Sequence, residues 1–172
     1  MNHLRTFDYL LLTRAKLLGA ARALSPEQYA QTFDIGPGDL ATTFTHMLIS
    51  EWYYIERLLG RPVPDYEHWE FQDERPLAFG DLEPRWSAQS EATRRAIEGE
   101  RDWGRTIVYR VRDDDGRLVE ATCSAMDMYT QLVLHEVHHR AQAMNMLRTL
   151  GATIEGEIDF NATMYTRRFV ER

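Results

Sequence analysis

A chain of 172 residues with 44% hydrophobic, 27% charged and 11% aromatic residues has the length and composition of one domain, residues 1–172, that buries its own core, which excludes a disordered or low-complexity protein. A formal net charge of -7 and a pI near 5.4 exclude the basic footprint that nucleic-acid binding requires and oppose docking to an anionic membrane, and no apolar run nears the ~20 residues of a spanning helix. The start of the chain reaches the acidic Asp8 before any signal-like apolar stretch, and the single cysteine, Cys123, forms no internal disulfide; the expectation is a cytoplasmic protein in which Cys123 is a small core residue.

Residues 4–24 carry Leu4, Phe7, Leu11, Ala15 and Leu18 at three- and four-residue steps, which predicts a first long helix. Ser25, Pro26 and Gln28 then supply an N-cap, a first-turn proline and a capping-box partner for a short helical segment. After a turn over residues 34–39, Asp39 caps a second long helix that ends at Leu59 with Gly60 as its stop. Residues 61–80, with Pro62, Pro64 and Pro76 and no period, read as a long loop that either covers a binding site or is an irregular connection packed by Trp69 and Phe71. Asp81 is placed to cap a third helix over 82–101. Ile107, Val108, Tyr109 and Val111, then Leu118 and Val119 beyond Asp115 and Gly116, predict a β-hairpin within 106–122. Ser124 and Asp127 form a capping box for the last long helix, 125–150, stopped by Gly151. The tail, 152–172, is expected to add a final turn or strand. The fold class is therefore all-α: an up-and-down four-helix bundle with a long crossover loop and a small β-hairpin before the last helix.

Three of the six histidines fall in His135-Glu136-Val137-His138-His139. Residues four apart stand one above the other on a helix, so His135 and His139 can chelate one ion. Met128, Leu132, Ala143, Met146 and Leu150 share their side, which places both rings in the middle of a core-facing stripe with His138 at its edge. Two imidazoles buried a turn apart each need a polar partner, and a shared cation satisfies both. His46 is the candidate third ligand, because His3 lies at a chain end and His68 in the proline-rich loop. The wheel leaves its orientation open: His46 lies with Thr42, Ile49 and Tyr53, away from the strongest apolar side of its helix. That helix is apolar or aromatic over most of its circumference, as expected if one side meets the bundle and another a partner subunit.

Two other metal patterns compete. The same five residues match H-E-x-x-H, in which Glu136 would be the general base of a zinc protease and Glu155, Glu157 or Asp159 the third ligand. Glu136 and His139 also give half of a di-iron E-x-x-H pair, for which the chain holds no second copy.

The sequence resembles the DinB/YfiT-like family. The likeness rests on Thr45-His46-Met47-Leu48 followed by Glu51 and Leu58-Leu59-Gly60, and on the stretch from His135 through Arg140-Ala141-Gln142 to Leu150-Gly151, where the family typically reads H-x-x-x-H-R-G-Q. Ala141 replaces the usual glycine. The resemblance implies a bundle with a long crossover, frequently a homodimer, holding zinc, nickel or a similar divalent ion on His46, His135 and His139. Despite the family's name it implies no DNA chemistry. Relatives include S-transferases and isomerases that use bacillithiol, mycothiol or glutathione, so a low-molecular-weight thiol and a small-molecule substrate are the expected partners. Three neutral imidazoles leave an ion its full charge and an open position, which suits a thiol transferase or, with water, a hydrolase. The contrasting reading is a non-catalytic, metal-stabilised dimeric bundle. Glu51, His138, Arg140 and Gln142 are the candidates for orienting ligands or substrate.

Overall fold

A computed structural model describes residues 2–112 and 115–168. Asp113 and Asp114, within the expected hairpin turn, and the last four residues of the expected tail lie outside the described residues. The element order is α1 (His3–Ala21), α2 (Pro26–Tyr29), α3 (Leu40–Leu58), α4 (Phe79–Gly99), β1 (Thr106–Arg112), β2 (Leu118–Ser124), α5 (Ala125–Thr149) and α6 (Phe160–Met164). The protein is thus mostly helical, with one two-stranded antiparallel sheet paired from Thr106 opposite Ser124 to Arg112 opposite Leu118. No helix among the described residues is long and apolar enough to cross a membrane.

Local chemistry sets most boundaries. Ser25 and Gln28 close a capping box on α2, Asp39 accepts from the Thr42 N–H at 2.6 Å, and Ser124 and Asp127 close a second box on α5. Gly60 and Gly151 follow α3 and α5 with φ of 68° and 75°, a left-handed turn that glycine adopts without a Cβ penalty. Two boundaries differ from expectation by three residues, and the end of the third helix and of the hairpin, at Gly99 and Ser124, by two. The first helix stops at Ala21, because the Leu24 N–H turns back to the Ala21 carbonyl. The third begins at Phe79 rather than after Asp81: the Ala78 carbonyl already accepts from Asp81 and Leu82, so Asp81 sits inside the first turn, where its charge meets the helix N-terminus. The tail forms the short helix α6, whose Phe160 meets Tyr9 edge to face.

Both α1 and α3 pack on α4 and α5. Their buried side chains form two apolar clusters, one around Leu17, Phe44, Trp86 and Met146, the other around Phe7, Ile55, Ile97 and Tyr129. Each long helix contributes to both. In sequence α1 and α5 run from the second cluster to the first, whereas α3 and α4 run from the first to the second. Consecutive helices that run the same way need a connection spanning the molecule, and residues 59–78 between α3 and α4 provide it.

Between the clusters lies a buried polar layer. Arg14 contacts Glu51 at 2.6 Å and Glu136, and its Nη1 donates to Ser90 at 2.7 Å. Glu51 accepts from Trp86 Nε1 at 2.8 Å and from Thr93 Oγ1 at 2.7 Å. Arg140 donates to Thr13 Oγ1 at 2.6 Å and to the Tyr9 hydroxyl at 2.7 Å. Two arginines and two glutamates cancel in charge, which makes burial of all four tolerable. This layer corrects the helical-wheel reading of α5. Glu136 and Arg140 are the buried residues at its mid-length, and His135 and His139 stand half-buried on the flank of the stripe. A wheel assigns charged residues to solvent; mutual pairing reverses that assignment here.

Candidate metal centre

Polar-layer pairing turns the Glu136 side of α5 toward α1, which leaves the His135 and His139 side facing the groove beside α3. There the rings of His46, His135 and His139 meet, with centroids 5.0 Å apart for 46 and 135, 4.7 Å for 46 and 139, and 4.4 Å for 135 and 139. One nitrogen from each lies within 4.8 Å of the others. His46 Nε2 and His135 Nε2 are 3.1 Å apart, close to the spacing of about 3.3 Å between two nitrogens bound 2.0–2.1 Å from a tetrahedral ion. Among the described residues this is the group of His, Cys, Asp and Glu side chains suited to hold a cation.

On His46 and His139 the nitrogen that faces away from the convergence is engaged. The His46 Nδ1–H donates to Asp73 Oδ2 at 3.0 Å. The His139 Nδ1–H donates to Gln142 Oε1 at 2.8 Å, and Gln142 Nε2 donates to His138 Nε2 at 3.0 Å. In a neutral imidazole, a proton held on Nδ1 leaves the Nε2 lone pair free, so both partners select the ligating tautomer. Ser50 Oγ lies 3.4 Å from His135 Nε2. Burial, reinforced by the neighbouring rings of His139, His46 and His138, pushes the His135 pKa down to about 3. Burial also lowers that of His139, against the Gln142 contact, which raises it. Both rings are therefore neutral at pH 7, the protonation state a metal ligand requires.

Asp73 comes from the 61–80 segment, so the long loop does reach the site. It is held there by neighbours: the Asp73 N–H donates to the Tyr66 hydroxyl at 2.8 Å, and the Leu77 N–H donates to Thr45 Oγ1, one residue from His46, at 2.9 Å. The loop also packs on the second apolar side of α3, where the Trp69 ring lies 5.1 Å from Trp52 and 5.5 Å from Tyr53. Asp73 Oδ1 is buried without a hydrogen-bond partner, an unspent anionic acceptor beside the histidines that a nearby cation would satisfy. Nothing in the spacing of the loop singled Asp73 out; its role follows from a contact across 27 residues.

Of the four candidate orienting residues, Gln142 touches a cluster histidine through a hydrogen bond, and exposed His138 lies with its ring 4.9 Å from that of His139. Glu51 and Arg140 belong to the buried layer and point elsewhere. Glu136, held by Arg14, is likewise turned from the histidines, so a zinc-protease base is not in place. The di-iron pairing of Glu136 with His139 fails for the same reason, and none of Glu155, Glu157 and Asp159 joins the group. Cys123 is half-buried against the second core cluster, with its thiol pKa raised by burial.

A mostly helical fold in which two helices bring three histidine rings together defines a class of protein whose side chains could hold a metal ion. Comparison with known proteins is specific: the DinB family model matches residues 1–168, and the chain belongs to that family. Its fold is similar to the crystal structure of a DinB-like protein from Bacillus cereus ATCC 10987, with a TM-score of 0.63 and 19% identity over 90% of this chain and 95% of that one. No curated protein matches the chain.

Proposed function

We propose that the protein holds one divalent metal ion, zinc or nickel, on the Nε2 atoms of His46, His135 and His139 and is a metal-dependent enzyme acting on a small molecule. The observation that carries this is the paired engagement of His46 Nδ1 by Asp73 and of His139 Nδ1 by Gln142, which turns two lone pairs toward one point. A divalent ion there would supply Lewis acidity, lowering the pKa of a thiol or a water that joins it. Around it, Asp73 and Gln142 orient the rings, and burial keeps His135 and His139 neutral. Among the described residues no fourth His, Cys, Asp or Glu joins the group, which favours an open, reactive site over a closed structural one.

On family resemblance the favoured activity is transfer or isomerisation with a low-molecular-weight thiol as co-substrate; hydrolysis is the alternative for the same site. The four long helices are read as one domain, a four-helix bundle with a long crossover, acting in the cytoplasm as a homodimer. Metal analysis of the purified protein, followed by consumption of a model electrophile with and without added thiol, tests the reading. Thiol-dependent turnover by metal-loaded protein supports the transferase, and thiol-independent turnover supports the hydrolase. No metal at one equivalent per chain would overturn both. Metal binding without any turnover would leave the non-catalytic bundle, with an ion that only ties α3 to α5.

A further inference from the structure

Trp69 and Phe71, from the segment between α3 and α4, leave a space between themselves and the helices they cross. With Leu48, Ile49 and Trp52 of α3 they enclose a cavity of about 390 Å³, bounded on the α4 side by Arg85, Ala88 and Gln89. Buried Leu48 and Ile49 form its floor. Sites for small molecules span ~300–1,000 Å³ and are lined mainly by apolar and aromatic side chains with a few polar groups, and this cavity has that size and that lining. Side chains that served only to anchor the segment would interdigitate at the density of a protein interior and leave no such space.

The walls are held in place by contacts of their own. Trp69 Nε1 donates to the Pro64 carbonyl at 2.8 Å, and its ring is met edge to face by Trp52 at 5.1 Å and by Tyr66 at 5.0 Å. The segment is also cross-tied: the Tyr66 carbonyl accepts from Gln72 Nε2 at 2.9 Å, and Gln72 and Arg75 form a β-bridge. Each charged or titratable side chain lining the cavity has its own partner. Arg85 lies over the Phe71 ring at 5.0 Å and donates to Glu70 at 3.3 Å, so those two lining charges cancel, and His68 Nδ1 stands 3.7 Å from Glu67. An ion entering would lose hydration without gaining an opposite charge, which selects an uncharged occupant. One polar group remains open. Gln89 Nε2 donates to Thr93 Oγ1 at 3.2 Å, which leaves the amide Oε1 to accept from a donor in the cavity.

We propose that this cavity binds an uncharged bicyclic aromatic molecule carrying one N–H or O–H donor, its ring against Trp52, Trp69 and Phe71 and its donor on Gln89 Oε1. Aromatic walls favour a ring in offset or edge-to-face contact over an aliphatic chain of equal area. The site lies on the α4 side of α3, whereas the histidines meet on its α5 side, so the assignment does not rest on the metal-centre reading.

The test is calorimetric titration of the full-length protein with three bicyclic probes: indole, benzothiophene, which keeps the shape without the N–H, and N-methylquinolinium, which is a cation. Indole should bind at one per chain, about fivefold tighter than benzothiophene, the worth of one hydrogen bond, and about tenfold or more tighter than N-methylquinolinium. Partition onto apolar surface would instead rank the more apolar benzothiophene first. Ala88→Phe, which fills the cavity from an exposed helix position, should remove indole binding, and Gln89→Leu should erase the preference over benzothiophene. Absence of saturation, or benzothiophene or the cation binding as tightly as indole, overturns the proposal. So does unchanged indole affinity in a folded Ala88→Phe or a retained preference in a folded Gln89→Leu. The ranking of the three probes on the wild type decides it even where a variant fails to fold.

Discussion

The His46 Nδ1–H and Asp73 Oδ2 lie 3.0 Å apart across 27 residues of sequence, joining a helix to the proline-rich segment that follows it. This contact fixes the His46 tautomer and ring plane. Asp73→Ala should weaken zinc binding by roughly 10- to 100-fold, the usual effect of losing a carboxylate behind a metal-bound histidine. Asp73→Asn, which keeps an acceptor oxygen, should lose less. Competition against a chromophoric chelator measures both, and equal affinity in Asp73→Ala and wild type would remove Asp73 from the site.

Gly36 offers a test from outside the cluster. It adopts φ of 55°, and a Cβ built there runs into the Gln142 side chain. Gly36→Ala should therefore displace Gln142 from His139 Nδ1 and lower zinc affinity while leaving the helices intact. Chelator competition with far-ultraviolet circular dichroism as a folding control checks it; an unchanged affinity together with an unchanged fold would separate Gln142 from ligand orientation.

Single substitutions of His46, His135 or His139 by Ala should each abolish stoichiometric zinc binding and the thermal stabilisation that zinc confers on the wild type. Glu136→Gln serves as the contrast. It should destabilise the apo protein by weakening the Arg14 pair, yet leave zinc stoichiometry near one, because Glu136 faces α1. Metal analysis after gel filtration and thermal melts with and without zinc read the two effects separately.

In the apo protein the sign of the pH dependence follows from His135. Its folded pKa of about 3 lies below the ordinary 6.5, so between those values the unfolded chain binds the proton more readily. The contribution is complete above pH 6.5 and is lost as the pH falls toward 3; the lowered pKa of His139 acts in the same direction. Melting temperature should fall with decreasing pH across this window, and His135→Leu should flatten the profile there. An unchanged slope in the variant would show that His135 does not carry the dependence.

The buried layer predicts a large, one-sided cost. Arg14→Met removes the cation between Glu51 and Glu136 and strands two carboxylates in the core, so it should destabilise by about 3–5 kcal/mol in guanidinium unfolding. A double variant, Glu51→Gln with Glu136→Gln on the Arg14→Met background, should recover part of that loss by neutralising both acids.

Helix ends were legible because their determinants are local. Ser25 with Gln28, Asp39 with Thr42, and Ser124 with Asp127 satisfy backbone donors within one turn, and positive-φ glycines close α3 and α5, so a few adjacent residues carry the whole signal. The i, i+4 stacking of His135 and His139 is likewise a property of one helix. The match of His46 to them was available only as an elimination supported by family likeness, since its wheel position pointed away from the apolar side.

What sequence alone determined was the set of helices, the hairpin and two histidines on one face, because those depend on interactions spanning about one turn. Tertiary structure decided which face of α5 the core takes, since burial of Glu136 and Arg140 is tolerated only once Arg14, Tyr9 and Thr13 arrive from another helix to meet them. It also brought Asp73 to His46. Each of these is a balance between desolvation and a partner distant along the chain, and composition or periodicity carries no record of that partner.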